Sequence, residues 1–386
     1  MKTTKARLAY WVFLFLLFLF VLIVMIDPTN KLFHVKEIVF VLLMGLTIFL
    51  RRMRFLKDVV YFYGALLLLA LSSVCLGAIF YGTDVMATIP YFKALMFGLV
   101  ILPLSKVPVQ RIVEINYWVG LTLSIMISVL LLSYFFGVFN FSGLIERMRE
   151  TETIMVAWRG LLGMQVPMFF YKTMPFCFFA LIYALRNKKW IPAIIIMAPI
   201  VYGGSRTPML MALAIIAYLL YDRKSKYLRL FIGVVAVCAL VFLVSMLVSP
   251  SYSDGGDQIK GGVASYLIEH ASLVSHGVGA EYWDPERSKW TTTTEMTYFE
   301  MLYQYGWLLF PLVLYIFFEP FFVMFKRQNG VLVKDFAVAY LLYLVNAGTN
   351  PLLINSTGMY VFACALTIAA KCGGKMTVRV KKMAVA

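Results

Sequence analysis

Long apolar runs alternate with short charged segments along the whole chain. Runs at 8–26, 37–50, 59–81, 87–104, 113–137, 164–185, 190–203, 207–221, 229–249, 297–325, 334–347 and 356–370 predict twelve helices. Most approach the ~20 residues that a helix needs to cross a hydrocarbon layer. The expectation is an all-α, polytopic membrane protein with about twelve transmembrane helices in one integral domain, 1–386. The first run, Leu8 to Ile26, follows MKTTKAR. It is too long for a signal-peptide core and no small-residue cleavage site follows it, so it is expected to remain as an uncleaved first span.

Two stretches depart from this rhythm. The runs 190–203 and 207–221 are short for spans, and basic clusters flank the pair on one side, at Lys188-Lys189 and Arg223-Lys224. They meet at Gly203-Gly204-Ser205-Arg206. Two short helices joined by a glycine turn place that turn below the surface, where only protein or cavity water can satisfy its backbone. The second stretch is the polar loop 250–296. Its middle, GVASYLIEHASLVS (262–275), carries Val263, Leu267, Ala271 and Val274 at helical spacing, which predicts a short amphipathic helix on the membrane surface. The chain shows no internal repeat, which weakens a transporter reading.

Composition sharpens this picture. Apolar residues make up 62% of the chain and charged ones only 14%, against about 25% in soluble domains. That excludes a soluble enzyme or a DNA-binding module. The net charge of +16 follows from sidedness. With the N-terminus inside, the inner segments hold 24 of the 35 lysines and arginines but only five of the 19 acidic residues. This positive-inside bias and an even number of spans put both termini in the cytoplasm and the loop 250–296 on the outer side. Anionic lipid headgroups suffice as partners for the basic face, with no nucleic acid. Cys75, Cys177, Cys238, Cys364 and Cys372 form no CxxC pair and read as packing residues.

Ionisable residues in or near an apolar layer are costly, so each is a candidate for function. Arg206 closes the GGSR turn. Its guanidinium offers forked donors to a phosphate or pyrophosphate, and Thr207-Pro208 opens a helix whose first N–H groups point at the same anion. The alternative is an interfacial arginine snorkelling to headgroups. Arg159, in WRG, is either a second phosphate contact or an interface anchor beside Trp158. Lys93, in IPYFKALMFGLVILPL, and Lys172, in FFYKTMPF, can each face an anionic ligand or pair with a carboxylate.

Glu295 and Glu300 stand where the long loop enters the run 297–325. A partly desolvated carboxylate there can serve as a general base. Favourable placement in the first helical turn is the alternative for Glu295, and structural pairing is the alternative for Glu300. Arg287 is a partner for Glu295 or a further phosphate ligand. His34, His270 and His276 make no metal cluster. His270 reads as structural, whereas His276, in SHGVGAEYW, stays a candidate. The sequence holds no DxD-type metal pair, no phosphate-binding glycine loop and no GxSxG elbow.

Four pieces together resemble the O-antigen polymerase and O-antigen ligase superfamily of bacterial membrane glycosyltransferases. GGSRTPMLMALAIIAYLL (203–220) is similar to the family's Ser-Arg turn and short apolar helix. WRGLLGMQVPMFFY (158–171) is similar to its Arg-Gly element, GVGAEYW (277–283) to a glycine-rich piece of the outer loop, and EMTYFEMLYQYGWLLF (295–310) to its Tyr-Gly signature. Their order covers most of the chain.

The resemblance implies a GT-C-like, metal-independent transferase of the inner membrane, without a cofactor, acting at the periplasmic face. Its donor would be a glycan on undecaprenyl pyrophosphate, and a chain-length regulator protein would be a further partner. The family arginines that grip the pyrophosphate match Arg206 and, less closely, Arg159 and Lys93. The ligase branch carries a histidine eleven residues before the signature glycine, where this chain has Glu295 before Gly306. The expectation is therefore the polymerase branch, with Glu295 as base. The alternatives are a ligase acting on lipid A–core and, in another class, a lipid-linked oligosaccharide flippase.

Overall fold

The computed structural model describes residues 2–50, 56–161, 164–203, 206–221, 255–284, 288–292, 294, 296–326, 328–348 and 353–373. Apolar runs free of proline wind into α1 (Lys2–Ile26), α2 (Lys36–Phe49) and α3 (Lys57–Tyr81). A rod over 85–104 follows, in which a 3-10 turn (Val85–Thr88), α4 (Ile89–Met96), a second 3-10 turn (Phe97–Val100) and α5 (Ile101–Leu104) run end to end. Then come α6 (Val109–Phe136) and α7 (Ser142–Glu150), and the strands β1 (Ile154–Leu161) and β2 (Met164–Tyr171). Next are a 3-10 turn (Met174–Phe176), α8 (Cys177–Arg186), α9 (Trp190–Tyr202) and α10 (Arg206–Tyr221). The remainder is α11 (Gly255–Glu269), β3 (Tyr282–Asp284), β4 (Lys289–Thr291), α12 (Thr297–Met324), α13 (Val331–Ala347) and α14 (Ser356–Gly373).

The molecule is mostly helical. Among the described residues, five segments are long and apolar enough to cross a membrane: Arg7–Ile26, Lys57–Tyr81, Val85–Leu104, Val109–Phe136 and Thr297–Met324. Their outward faces carry exposed Trp11, Phe15, Leu68, Ile79, Trp118 and Leu312. A soluble monomer rarely exposes so much contiguous apolar surface, and the architecture is compatible with a multi-pass membrane protein.

The core centres on α14. From Met359 to Leu366 every one of its side chains is buried, as expected of a helix that is apolar all round. It packs against α1, α3, α5, α6, α12 and α13. Small residues bring other helices equally close: a Cβ on Gly120 of α6 would lie 2.6 Å from the Ala180 Cβ of α8.

Four expectations need correction. The run 164–185 is not one helix. Its first eight residues form β2, which pairs antiparallel with β1 from Ile154↔Tyr171 to Leu161↔Met164; helix begins only at Cys177. Pro167 and Pro175 each remove a helical donor, and the aromatic run at 169–171 suits a strand. The amphipathic helix lies over 255–269 instead of 262–275, and its Val263 and Leu267 bury against Ala280, Tyr282 and Tyr303. Protein, not a membrane surface, covers that face. The runs 87–104 and 297–325 are each interrupted, the first by 3-10 turns and the second at Gly306. The expected helix 229–249 and Cys238 lie outside the described residues.

Candidate functional site

Polar contacts gather the helix ends into two groups. At one end, the Tyr171 hydroxyl donates to the Ile26 carbonyl at 2.5 Å and Thr173 to that of Met25 at 2.6 Å. Lys36 Nζ donates there to the Pro28 carbonyl at 2.9 Å and the Ser356 hydroxyl at 3.1 Å. Tyr298 donates to the Leu344 carbonyl at 2.7 Å. We call this the loop end. The opposite end holds Arg186, which clasps Asp335 through two 2.7 Å bonds, and Lys371, which donates to the Leu104 carbonyl at 2.9 Å.

The loop end contains a broken helix. Within α12, Gly306 has φ 69° and ψ 167°, a backbone region that only glycine occupies freely. In a continuous helix the Tyr303 carbonyl would accept from Trp307 and the Gln304 carbonyl from Leu308. Here those two N–H groups donate instead to Ser272 at 3.0 Å and Leu273 at 3.2 Å. The two carbonyls turn to other donors. Gln304 accepts from the Gly277 N–H at 3.1 Å and from the hydroxyls of Ser73 at 3.1 Å and Ser275 at 2.5 Å. Tyr303 accepts from the ring of His276, with Nδ1 3.2 Å away. The loop 272–277 thus satisfies every backbone group that these exchanges release, as a low-dielectric setting requires.

The loop is held on its other side by α3. The Ser73 and Ser275 hydroxyls lie 2.8 Å apart. The Thr83 hydroxyl donates to the His276 carbonyl at 2.5 Å. Gly77 admits this approach because a Cβ there would overlap the backbone of His276 and Gly277.

His276 is the chemically distinctive side chain of this assembly. Its imidazole is stacked between Tyr303, 4.2 Å away and 10° from parallel, and Tyr81, 4.0 Å away and 28° from parallel. A carbonyl only accepts, so the Tyr303 carbonyl requires the hydrogen on Nδ1. The neutral ring then presents an unprotonated Nε2, which has no hydrogen-bond partner among the described residues. Burial between the rings holds the His276 pKa below the ordinary histidine value. The Tyr303 carbonyl opposes that shift in part, and the nearby His270 adds to it. Tyr81 is 46% exposed, so the sandwich opens to the surface on the α3 side.

The other expected residues fall around this assembly. Glu300 lies in the first turn of α12, where its carboxylate accepts from the Thr294 N–H and from Gln304 Nε2, both at 3.1 Å. Structural pairing is the arrangement found for it. Deeper along the bundle the hydroxyls of Tyr91 and Tyr305 bond to each other. Lys93 pairs with Glu37 at 2.6 Å, and Lys172 lies 3.7 Å from Glu152 at the foot of the hairpin. Each lysine thus stands within ion-pair distance of a carboxylate.

Arg159 is in β1, opposite Val166, and Arg206 is the first residue of α10. The strand β2 packs on α9, and the turn after α9 sits against Met174, 2.9 Å from where a Cβ of Gly203 would be. The 3-10 turn at 174–176 packs on α13, whose last turn receives Tyr298 of α12. The hairpin, the Gly203 turn and the start of α12 therefore share the loop end. Arg287 and Glu295 lie outside the described residues. Among the described residues no three His, Cys, Asp or Glu side chains converge as a metal site would need.

Charge alone did not mark Tyr81, Ser272 or Tyr303. The available signals were Gly306 inside an apolar helical run and the glycine pair 277 and 279 in the loop. No family model, curated protein or solved structure matches this chain.

Proposed function

We propose that this chain is a surface-polysaccharide (O-antigen) polymerase of the bacterial inner membrane, a twelve-span transferase of the GT-C type with both termini in the cytoplasm and the loop end in the periplasm. It would move a growing glycan from undecaprenyl pyrophosphate to a hydroxyl of an incoming lipid-linked repeat unit. A chain-length regulator would be its protein partner.

One observation carries this reading. The short helices α9 and α10, of 13 and 16 residues, are consecutive, α9 ending beside Gly203 and α10 beginning at Arg206. The N-terminus of α10 would offer N–H groups that lack an intrahelical acceptor and the positive end of the helix dipole. An arginine at that position adds a forked donor for a diphosphate. Together they would neutralise the leaving pyrophosphate, with Arg159, Lys93 or Arg287 as further cations, and so lower the barrier electrostatically. Lys93 would have to exchange Glu37 for the ligand. The attacking hydroxyl also needs a proton acceptor, a role for which the sequence offers Glu295.

The test incubates purified protein, without added metal, with the undecaprenyl-pyrophosphate-linked repeat unit isolated from cells that lack the protein. A gel ladder of repeats from the wild type, absent with Arg206→Ala, is the expected result. Transfer onto added lipid A–core without a ladder would make the chain a ligase. No product with either acceptor would move the weight to transport.

A further inference from the structure

We propose that His276, through Nε2, takes the proton from the attacking sugar hydroxyl, the role for which the sequence offers Glu295. The proposal rests on the polymerase reading and deepens it. Three features of the site carry it. The first is the tautomer: the Tyr303 carbonyl, 3.2 Å from Nδ1, can only accept, so the lone pair of the neutral ring is on Nε2. The second is rigidity. The ring is clamped between two tyrosines at 4.0 and 4.2 Å, and its backbone is tied to Thr83 at 2.5 Å. A base held in one geometry loses little freedom when the acceptor docks. The third is access, because the flanking Tyr81 is part of the surface and its hydroxyl bonds the exposed loop at Ser272, 2.8 Å away. A sugar resting on that aromatic edge would bring a hydroxyl beside the ring.

The broken helix makes this arrangement possible. Because Gly306 diverts the Trp307 N–H to Ser272, the Tyr303 carbonyl meets the histidine without a competing helical donor. Gly306 is therefore a positioning residue, acting through Tyr303.

In the step assigned here, the acceptor O–H bond breaks and its proton moves to Nε2. The oxygen bonds to the anomeric carbon of the donor glycan. The bond from that carbon to the diphosphate breaks, and its electron pair leaves on undecaprenyl pyrophosphate. The imidazolium then returns its proton to water. The titratable groups beside it on the surrounding elements include Tyr81, Asp84, Tyr266, Glu269, His270, Glu281, Tyr282, Glu300 and Tyr303. Of these, His270 acts on the charge of His276, and it too disfavours protonation. The neutral, competent form therefore persists to below the ordinary histidine value of about 6.5.

The test compares wild type, His276→Phe and His276→Gln in the ladder assay from pH 5 to 8. Phenylalanine preserves the ring sandwich, so a sharp size-exclusion peak should confirm that this variant folds. Loss of a general base lowers rates by about 10²–10⁴-fold. The expected result is that loss in both His276 variants and a wild-type rate that falls on the acid side of the ordinary histidine value of about 6.5. A folded His276→Phe protein with a normal rate would overturn the assignment while leaving the polymerase reading intact. A wild type that makes no ladder overturns both.

Discussion

The main-chain N–H of Trp307 donates to the carbonyl of Ser272 over 3.0 Å. A loop residue thus provides the acceptor that an unbroken helix would find one turn back. The bond ties the loop after α11 to the middle of α12, and the partners exchanged at this break set the orientation of His276. A break at such depth is stable only while the loop stays docked.

Gly306→Ala should therefore destabilise the protein. A Cβ there would lie 2.7 Å from the Val274 carbonyl carbon at a positive φ of 69°. Backbone strain of about 1–3 kcal/mol and crowding of about 1–3 kcal/mol point the same way. Thermal unfolding in detergent should show a clearly lower midpoint, and an unchanged midpoint would mean that the loop does not pack at the break.

Stability should also depend on pH through His276. Burial lowers its folded pKa, so the unfolded chain binds the proton more readily than the folded one. The stabilisation is complete above the ordinary histidine value of about 6.5 and is lost as pH falls through the lowered folded value. Wild type should lose thermal stability between pH 7.5 and 5, with a shallower loss in His276→Phe. Parallel curves would remove His276 from the explanation.

At the opposite end, Asp335 is nearly buried and accepts two 2.7 Å bonds from Arg186 and one of 3.1 Å from Tyr218. Asp335→Leu leaves the guanidinium without its carboxylate, at a cost of about 3 kcal/mol. The double variant Arg186→Met with Asp335→Leu should recover most of that loss, because two apolar side chains pack without an uncompensated charge. Equal stability of the single and double variants would show that the pair is not coupled.

Sidedness has a direct test. In a cysteine-free background, Leu273→Cys should react with a membrane-impermeant maleimide in intact cells whose outer membrane is opened, since that side chain is 67% exposed at the loop end. Lys188→Cys should react only after the inner membrane is opened. The reverse pattern would invert the proposed topology.

The sequence by itself determined that the chain is helical and apolar enough for a membrane, and where most helices run. Those properties depend on local quantities: the transfer cost of each side chain and the length of each run. It also singled out Lys93, Lys172, Glu300 and His276, because isolated ionisable groups stand out in apolar surroundings. It did not determine their partners. Glu37 for Lys93, Glu152 for Lys172 and the two tyrosines around His276 come from other elements, brought together by packing. The hairpin at 154–171 and the break at Gly306 belong to the same class. An apolar run reads alike as strand, helix or broken helix. Only a partner for its backbone groups decides among them, and here β1 and the loop 272–277 are those partners.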